Sequence, residues 1–247
     1  MIDDNFTLTG RKVLVTGASS GIGQATAIYL SQLNAICVLT GRDEKRLNET
    51  LEKLSGKGHS ALSMDLAEEE DLTRLFDFAV ADGKKLNGLV HSAGASKIIP
   101  ILLLKRPMLE QEMRINYFAF MELVRLFAKN KYASGGSIVG ISSIAATQPE
   151  KGQTNYTASK AAMIAATQAL AIELAPKKIR INTILPGCVQ TRMADYFEED
   201  ELNAIMKRQL LGMIQPEDVA KMCAFLVSDM SKFSTGRQFY MDGGRLG

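Results

Sequence analysis

Cysteine is scarce in this sequence, and the few cysteines are far apart. Cys37, Cys188 and Cys223 are the only ones among 247 residues. They form no Cys-x-x-Cys pair and no spacing typical of a metal site, so neither a disulfide framework nor a metal centre is expected. We interpret them as small buried residues of a protein from a reducing compartment, and we expect a cytoplasmic location.

Long apolar runs and a strong charge of one sign are also missing. The longest apolar stretch, IIPILLL (98–104), is too short to cross a bilayer and is interrupted by Pro100. The first ten residues, MIDDNFTLTG, lack the basic and apolar regions of a secretory signal. The net charge of +2 falls short of the basic balance of a nucleic-acid-binding protein. We therefore expect neither a membrane segment nor a nucleic-acid partner.

Short β-branched runs alternate with helical patterns along the whole chain. The predicted strands are residues 12–17, 35–41, 60–66, 86–94, 136–143, 179–187 and 238–244. The longer predicted helices include 107–131, an alanine-rich stretch near 155–175, and 216–229. Such alternation predicts a parallel sheet with helices on both faces. Since no repeat or linker interrupts it, we expect one α/β domain of the doubly wound Rossmann type over residues 1–247, with ligands at the carboxyl ends of the strands.

The segment TGASSGIG (16–23) joins the first predicted strand to the first predicted helix. Gly17, Gly21 and Gly23 permit a tight turn, close approach of the backbone to a pyrophosphate, and close packing of the helix. The N-terminus of the helix would offer free N–H groups to the phosphates. A glycine-rich turn alone is weak evidence, but this position favours a dinucleotide site. The spacing is G-x-x-x-G-x-G rather than the commoner G-x-G-x-x-G.

The end of the second predicted strand bears on which dinucleotide is bound. Arg42, preceded by Gly41, would accommodate the 2′-phosphate of NADP, whereas an acidic residue there would bind the ribose of NAD. Asp43 keeps NAD open as the alternative, and Arg42 could also be a solvated arginine. Asp65 is placed either to accept a hydrogen bond from the adenine amino group or to cap the next helix. We expect NADP.

Tyr156 and Lys160 lie four residues apart at the start of a predicted helix, so their side chains share one face. The lysine charge favours the phenolate and would lower the pKa of Tyr156. Tyr156 could then give a proton to a carbonyl oxygen as a hydride arrives at its carbon. Tyr-x-x-x-Lys occurs by chance in many helices. Ser143, which ends the fifth predicted strand at the same sheet edge, could hold the substrate oxygen and strengthens this interpretation.

Seven segments occur in an order and spacing that resemble the single-domain short-chain dehydrogenases/reductases. They are TGASSGIG (16–23), HSAG (91–94), Asn116, ISS (141–143), YTASK (156–160), LPGCVQTRM (185–193) and STGRQFYMDGG (234–244). The resemblance covers essentially the whole chain and implies an oxidoreductase acting on a carbonyl or an alcohol. The segment GMIQPEDVAKMCAFLVSD (212–229) resembles the 3-oxoacyl-[acyl-carrier-protein] reductases in particular.

The resemblance also implies roles for individual residues. Tyr156 would be the general acid/base and Ser143 would polarise the carbonyl. Lys160 would bind the nicotinamide ribose, and Asn116 would hold a water of a proton relay. The implied cofactor contacts are Gly17, Ser19, Ser20, Gly21, Ile22, Gly23, Arg42, Asp65, Leu66, Ser92, Ala93, Gly94, Tyr156, Lys160, Pro186, Gly187, Val189 and Thr191. The family usually has Asn-Ala-Gly where this chain has Ser92-Ala93-Gly94, and we expect this change to loosen the cofactor site without abolishing it.

The substrate and the assembly are less well defined. Ile144, Met193, Tyr196 and Phe197 favour an apolar lining, although each could equally belong to the core. A 3-oxoacyl thioester on an acyl carrier protein, a sugar or polyol, and another small ketone stay open as substrates. A non-catalytic NADP(H) sensor is a further alternative, although Tyr156, Lys160 and Ser143 are all intact.

The resemblance favours a homotetramer, which two self-complementary contacts would generate. We expect the predicted helices at 107–131 and 155–175 to carry more apolar surface than one sheet face needs, with Phe120, Met163 and Ile164 as examples. The tail QFYMDGGRLG (238–247) could add the second contact.

Overall fold

The structure is a computed structural model that describes residues 6–67, 69–194 and 197–245. Within these residues, seven strands form one sheet in the order β3-β2-β1-β4-β5-β6-β7. The strands are β1 (Lys12–Thr16), β2 (Ile36–Gly41), β3 (Ser60–Ser63), β4 (Leu86–His91), β5 (Ala133–Ile141), β6 (Ile179–Pro186) and β7 (Gln238–Met241). All neighbours pair in parallel. The predicted doubly wound Rossmann-type fold is confirmed, and every predicted strand is present.

Helices cover both faces of this sheet. They are α1 (Gly21–Gln32), α2 (Glu44–Glu52), α3 (Glu69–Ala79), α4 (Arg106–Met113), α5 (Ala119–Phe127), α6 (Thr154–Leu174), α7 (Glu199–Arg208) and α8 (Pro216–Val227). Successive strand residues point to opposite faces. Leu14 accordingly packs with Phe76 of α3, whereas Val13 packs with Leu30 of α1 and Val219 of α8. In the ranges described, none of the helices has the length and apolar character needed to cross a membrane.

The sheet order reverses at β1, which pairs with β2 on one side and β4 on the other. Thr16, the last residue of β1, is in register with Thr40 of β2 and His91 of β4. The segments that follow these strands therefore leave the sheet side by side. Ligands of open α/β sheets bind at such a reversal, so this edge is where a site is expected.

The helix predicted over 107–131 is not continuous. It consists of α4, a π-helical turn at Arg114–Phe118, and α5. Asn116 lies in the middle of the π turn and is fully buried. Its side chain forms hydrogen bonds with Ala95 and with Ser159 of α6. These bonds require the side chain of Asn116 to face α6, and the wider π-helical turn accommodates that orientation. Single π-helical turns often occur at functional positions.

Phe120, Met163 and Ile164 do not provide surface for self-association, and that expectation is wrong. They are 0%, 0% and 8% exposed within the chain. Gly140 of β5 lets the first two approach the sheet, because a Cβ there would lie 3.2 Å from the ring of Phe120 and 3.0 Å from Sδ of Met163. Exposed apolar side chains occur instead at Phe118, Ile172 and Phe233, among others.

Candidate active site

The start of α6 carries Tyr156 and Lys160 on one face, as their spacing predicts. Both are nearly buried, at 8% and 4% exposure. Nζ of Lys160 lies 5.7 Å from the centroid of the Tyr156 ring. It also donates a 2.8 Å hydrogen bond to the main-chain oxygen of Ile141, the last residue of β5. This bond fixes the lysine at the carboxyl edge of the sheet, beside the tyrosine.

Burial dominates the proton affinities of this pair. Desolvation lowers the pKa of Lys160 to about 8 and raises the pKa of Tyr156 to about 12. The hydroxyl of Ser143 acts against the rise at Tyr156. The expectation that Lys160 lowers the pKa of Tyr156 is therefore not met in the protein alone, where burial is the largest influence on that pKa and raises it. At neutral pH the phenol is protonated and can serve as a proton donor.

Ser143 and Ser142 follow β5 and have different environments. Ser142 is buried and donates a 3.0 Å hydrogen bond to the main-chain oxygen of Lys160, so it holds α6 against the sheet. Ser143 is half-buried, and its Oγ accepts a 3.1 Å hydrogen bond from the backbone N–H of Ala145. Its hydroxyl proton can therefore point to a ligand near Tyr156. This difference agrees with the choice of Ser143 over Ser142 from spacing.

Asn116 links the segment after β4 to α6. Its Nδ2 donates to the main-chain oxygen of Ala95 and to Oγ of Ser159, each at 2.9 Å, and its Oδ1 accepts from the N–H of Ala95 at 2.8 Å. A Cβ on Gly94 would lie 3.1 Å from this Oδ1 and 3.4 Å from Nζ of Lys160. Three of the predicted site residues, Gly94, Asn116 and Lys160, are thus neighbours.

The glycine-rich turn after β1 forms a close cradle of backbone atoms. Gly17 has a φ of +66°, and a Cβ there would lie 2.7 Å from the backbone nitrogen of Ala93. A Cβ on Gly23 would lie 2.3 Å from the oxygen of Gly17. Ser20, the N-cap of α1, makes no side-chain capping bond, and the first turn has no acidic residue. The first N–H groups of α1 and its positive end are therefore available to phosphates, so the turn fits a dinucleotide.

The residues that follow β2 bear on whether NADP or NAD is bound. Asp43 is engaged as the N-cap of α2, where it accepts from the N–H of Arg46 at 3.0 Å and from its Nε at 2.5 Å. Arg42 has an exposed side chain next to Gly41. Asp65 accepts a 3.0 Å hydrogen bond from the N–H of Ala67 in a turn that precedes the start of α3 at Glu69, so this bond is not a cap of that helix.

Thr16 ties β1 to the segment Ser92–Gly94. Its Oγ1 lies 3.0 Å from Nδ1 of the buried His91 and accepts a 3.2 Å hydrogen bond from the N–H of Ala93. The side chain of Thr16 thereby holds this segment against β1 although Ser92 stands in place of the usual asparagine.

Comparisons with known proteins agree with this arrangement. Residues 17–245 match a family model described as enoyl-(acyl carrier protein) reductase. The chain is 33% identical to the 3-oxoacyl-[acyl-carrier-protein] reductase FabG of Rickettsia conorii, over 97% of this chain and 98% of that protein. It is 34% identical to nodulation protein G of Rhizobium meliloti, with the same coverage. The structure of a short-chain type dehydrogenase/reductase from Mycobacterium ulcerans superposes with a TM-score of 0.89 at 32% identity, covering 98% of this chain and 92% of that one.

The chain belongs to the short-chain dehydrogenase/reductase family. It is therefore an oxidoreductase that uses a nicotinamide dinucleotide. The glycine turn and the uncapped start of α1 are the features of this chain that fit such a cofactor.

The segment after β6 contains the predicted cofactor contacts Pro186, Gly187, Val189 and Thr191, and it depends on a residue that sequence reasoning missed. Gln209 is 1% exposed. Its Oε1 accepts from the N–H of Cys188 at 2.8 Å, and its Nε2 donates to the oxygens of Cys188 at 3.1 Å and Gly212 at 2.5 Å. Gln209 therefore clamps the strand end of this dehydrogenase/reductase. Nothing in the surrounding RQLLG distinguishes it from a surface glutamine.

The substrate side of this dehydrogenase/reductase also contains acidic residues that were not predicted. Glu150, between β5 and α6, accepts hydrogen bonds from Arg208 at the end of α7 and from Arg245. These ion pairs connect three segments of the chain, namely the one between β5 and α6, the end of α7 and the one after β7. Glu112 of α4 is 5% exposed, and its carboxyl group accepts a 2.7 Å hydrogen bond from Asn155.

The remaining predicted residues differ in exposure. Ile144 is buried, Met193 is 37% exposed and Phe197 is half-buried, whereas Tyr196 lies outside the described residues. Leu66 and Val189 belong to the two apolar cores. Thr191, in the segment after β6, lies next to the glycine turn, because a Cβ on Gly21 would be 3.1 Å from Cγ2 of Thr191.

Proposed function

We propose that the protein is an NADP(H)-dependent reductase of 3-oxoacyl thioesters carried on an acyl carrier protein. The observation that carries this proposal is the buried, protonated Tyr156 next to Lys160 and Ser143 at the carboxyl edge of the sheet. The named activity of the Rickettsia relative supports the substrate class. The reaction converts a ketone to an alcohol.

In this reaction the bound nicotinamide supplies the hydride. Tyr156 gives its phenolic proton to the carbonyl oxygen, so the product carries one new C–H and one new O–H bond. Ser143 donates a hydrogen bond to the same oxygen and orients it toward Tyr156. Lys160 stabilises the phenolate that remains by its charge. Asn116 keeps the segment after β4 in contact with α6, and its implied role in a water relay is part of this proposal.

The cofactor is bound by the glycine turn, by the residues after β3, β4 and β6, and by Arg42. Arg42 is exposed at the end of β2, and Asp43 is occupied by its cap, which supports NADP over NAD. An arginine side chain can grip a phosphate with charge-assisted hydrogen bonds.

We further propose that the chain is a single domain, that four copies of it form a homotetramer, and that this tetramer is cytoplasmic. The exposed Ile172, Phe233 and Tyr240 lie on α6 and around β7, where apolar surface is available for self-association. Sedimentation at micromolar concentration distinguishes a tetramer from a dimer or a monomer.

The proposed function is tested by the oxidation of NADPH with a panel of substrates. The panel contains a 3-oxoacyl thioester, an enoyl thioester, a keto sugar, a cyclic ketone and a diketone. We expect the 3-oxoacyl thioester to react with the highest kcat/KM. Turnover of the enoyl thioester alone would support the activity in the family model's description instead. Binding of NADPH without turnover of any substrate would favour a sensor.

A further inference from the structure

A buried carboxyl group lies near Tyr156 and Lys160 and has no role in the reaction above. Glu112, in the last turn of α4, is 5% exposed. Its Oε2 accepts a 2.7 Å hydrogen bond from Nδ2 of Asn155, which also donates to the main-chain oxygen of Met108 at 3.0 Å. Asn155 is in the first turn of α6 and directly precedes Tyr156. The contact therefore joins α4 to the neighbour of the proton donor.

Two acceptor atoms of this pair have no hydrogen-bond partner among the residues described. They are Oε1 of Glu112 and Oδ1 of Asn155, the other oxygens of the two groups that the Nδ2–Oε2 bond already joins. Buried acceptors without a donor are costly. One proton on Oε1 could be donated to Oδ1, which would close an acid–amide ring of two hydrogen bonds. The geometry thus fits a protonated Glu112.

The charged and titratable groups that act on Glu112 come from two neighbouring elements. Lys160 and Tyr156 lie on α6, and Lys97 lies between β4 and α4. Burial raises the pKa of Glu112 to about 7, although the hydrogen bond from Asn155 and the charges of Lys160 and Lys97 lower it. Conversely, the negative charge of ionised Glu112 raises the pKa values of Tyr156 and Lys160.

We propose that Glu112 is a positioning residue for the Tyr156–Lys160 pair: protonated, it holds the first turn of α6 through Asn155, and ionised, it adds a negative charge to the site. The proton is exchanged with solvent. The proposal rests on the proposed function, because it takes Tyr156 as the proton donor. An ionised Glu112 keeps Lys160 charged to higher pH. Because a charged Lys160 stabilises the phenolate that Tyr156 leaves behind, this extends the pH range in which a ketone is reduced.

Glu112→Gln tests this proposal because the amide has the shape of the protonated acid and carries no charge. Its oxygen can accept from Asn155 and its NH₂ group can donate to Oδ1. The limb on which kcat/KM for ketone reduction falls with rising pH should move down by about one unit. The variant should be about tenfold slower than the wild type above that limb and equal to it below.

Glu110→Gln is the matched control, because Glu110 is an exposed glutamate of the same helix whose partner is Arg106. It should leave the pH profile unchanged. A Glu112→Gln profile that superimposes on that of the wild type would overturn the proposal, as would an equal shift in the control.

Carbon-13 NMR of protein labelled in glutamate observes Glu112 without any substrate. The carboxyl signal that disappears in Glu112→Gln should titrate with a midpoint of about 7. A midpoint in the ordinary range of glutamate, about 4.3, would overturn the proposal even in an active enzyme. If the midpoint is near 7 but the wild type reduces no ketone of the panel, the proposed function fails, and the role of Glu112 in that reaction fails with it.

Discussion

The cofactor side and the substrate side of the sheet edge are built from different contacts. On the cofactor side, backbone approaches backbone: a Cβ on Gly17 would lie 2.7 Å from the nitrogen of Ala93, and one on Gly23 would lie 2.3 Å from the oxygen of Gly17. On the substrate side, a buried polar side chain holds two segments together, as Glu112 does for Asn155. Contacts of the first kind demand one residue type, whereas contacts of the second kind can be made by many pairs.

This difference explains how the two sides should respond to substitution. Changes on the cofactor side should alter cofactor affinity and preference, because the chemistry takes place elsewhere. Changes on the substrate side should alter turnover and its pH dependence, because the polar groups there lie around Tyr156 and Lys160. The predictions below test whether the two sides can be separated in this way.

Tyr156→Phe should have the largest effect and should act on turnover alone. It removes the phenolic proton but keeps the ring that packs at the start of α6. Positioned proton transfer contributes about 10²–10⁴-fold to rate, so kcat should fall by about that factor. NADPH binding, measured by fluorescence titration, should stay within about twofold of wild type, because phosphate and ribose contacts lie on the cofactor side. Near-normal kcat would contradict the proposed mechanism.

The fold and the glycine turn after β1 could be predicted because their signals are local. Seven strands alternate with helices along the chain, and Gly17 and Gly23 of the turn at 16–23 are required by contacts with the backbone. The spacing of Tyr156 and Lys160 also carried information, because a helix converts it into a shared face. Such features need no knowledge of distant residues.

The substrate side and the segment after β6 could not be predicted because their contacts join residues far apart in the chain. Gln209 and Cys188 are 21 positions apart, and Glu112 and Asn155 are 43 apart. The π-helical turn at Asn116 likewise depends on Ser159 of another helix. The raised pKa of Tyr156 results from burial by the whole fold, whereas the sequence shows only the neighbouring lysine.

Glu112→Gln should also make the pH dependence of stability less steep. The folded-state pKa of Glu112 is raised from 4.5 to about 7. Its contribution to the free energy of unfolding is therefore fully present below about pH 4.5 and is lost as the pH rises through about 7. The loss amounts to at most about 3 kcal/mol. The glutamine variant should consequently gain stability relative to wild type between about pH 4.5 and about pH 8.

Urea unfolding at several pH values measures this difference. Glu110→Gln is again the matched control and should follow the wild type, because its carboxylate is exposed and paired with Arg106 at the surface. A constant difference between Glu112→Gln and the wild type across this range would show that Glu112 titrates normally in the folded protein.

Arg42 tests the cofactor side alone. A hydrogen bond to a charged group contributes about 1.5–3 kcal/mol, which corresponds to a preference for NADPH over NADH of about 10- to 150-fold. Arg42→Leu should remove most of this preference in kcat/KM without changing kcat. Adding Gly41→Asp should favour NADH, through repulsion of the 2′-phosphate.

A Cβ at position 41 would lie 3.2 Å from Oγ of Ser19, so Gly41→Ala is the control for crowding. The measurements require fixed ionic strength, because phosphate contacts weaken with salt. If wild type uses both cofactors equally, Arg42 is a surface residue and the NADP assignment is wrong.

Gln209→Ala should have the smallest effect on activity and should weaken the binding of both the cofactor and the substrate. The segment that it clamps follows β6 and brings Thr191 next to Gly21 of the glycine turn. Loss of its three hydrogen bonds leaves the N–H of the half-buried Cys188 without this partner, which should lower the free energy of unfolding by about 1–3 kcal/mol. The KM values for NADPH and for substrate should rise together, by less than about tenfold.

The exposed Gln190 of the same segment provides the control, and Gln190→Ala should change neither KM nor stability. A rise in only one of the two KM values would contradict this prediction. It would show that the segment after β6 acts on cofactor binding alone or on substrate binding alone.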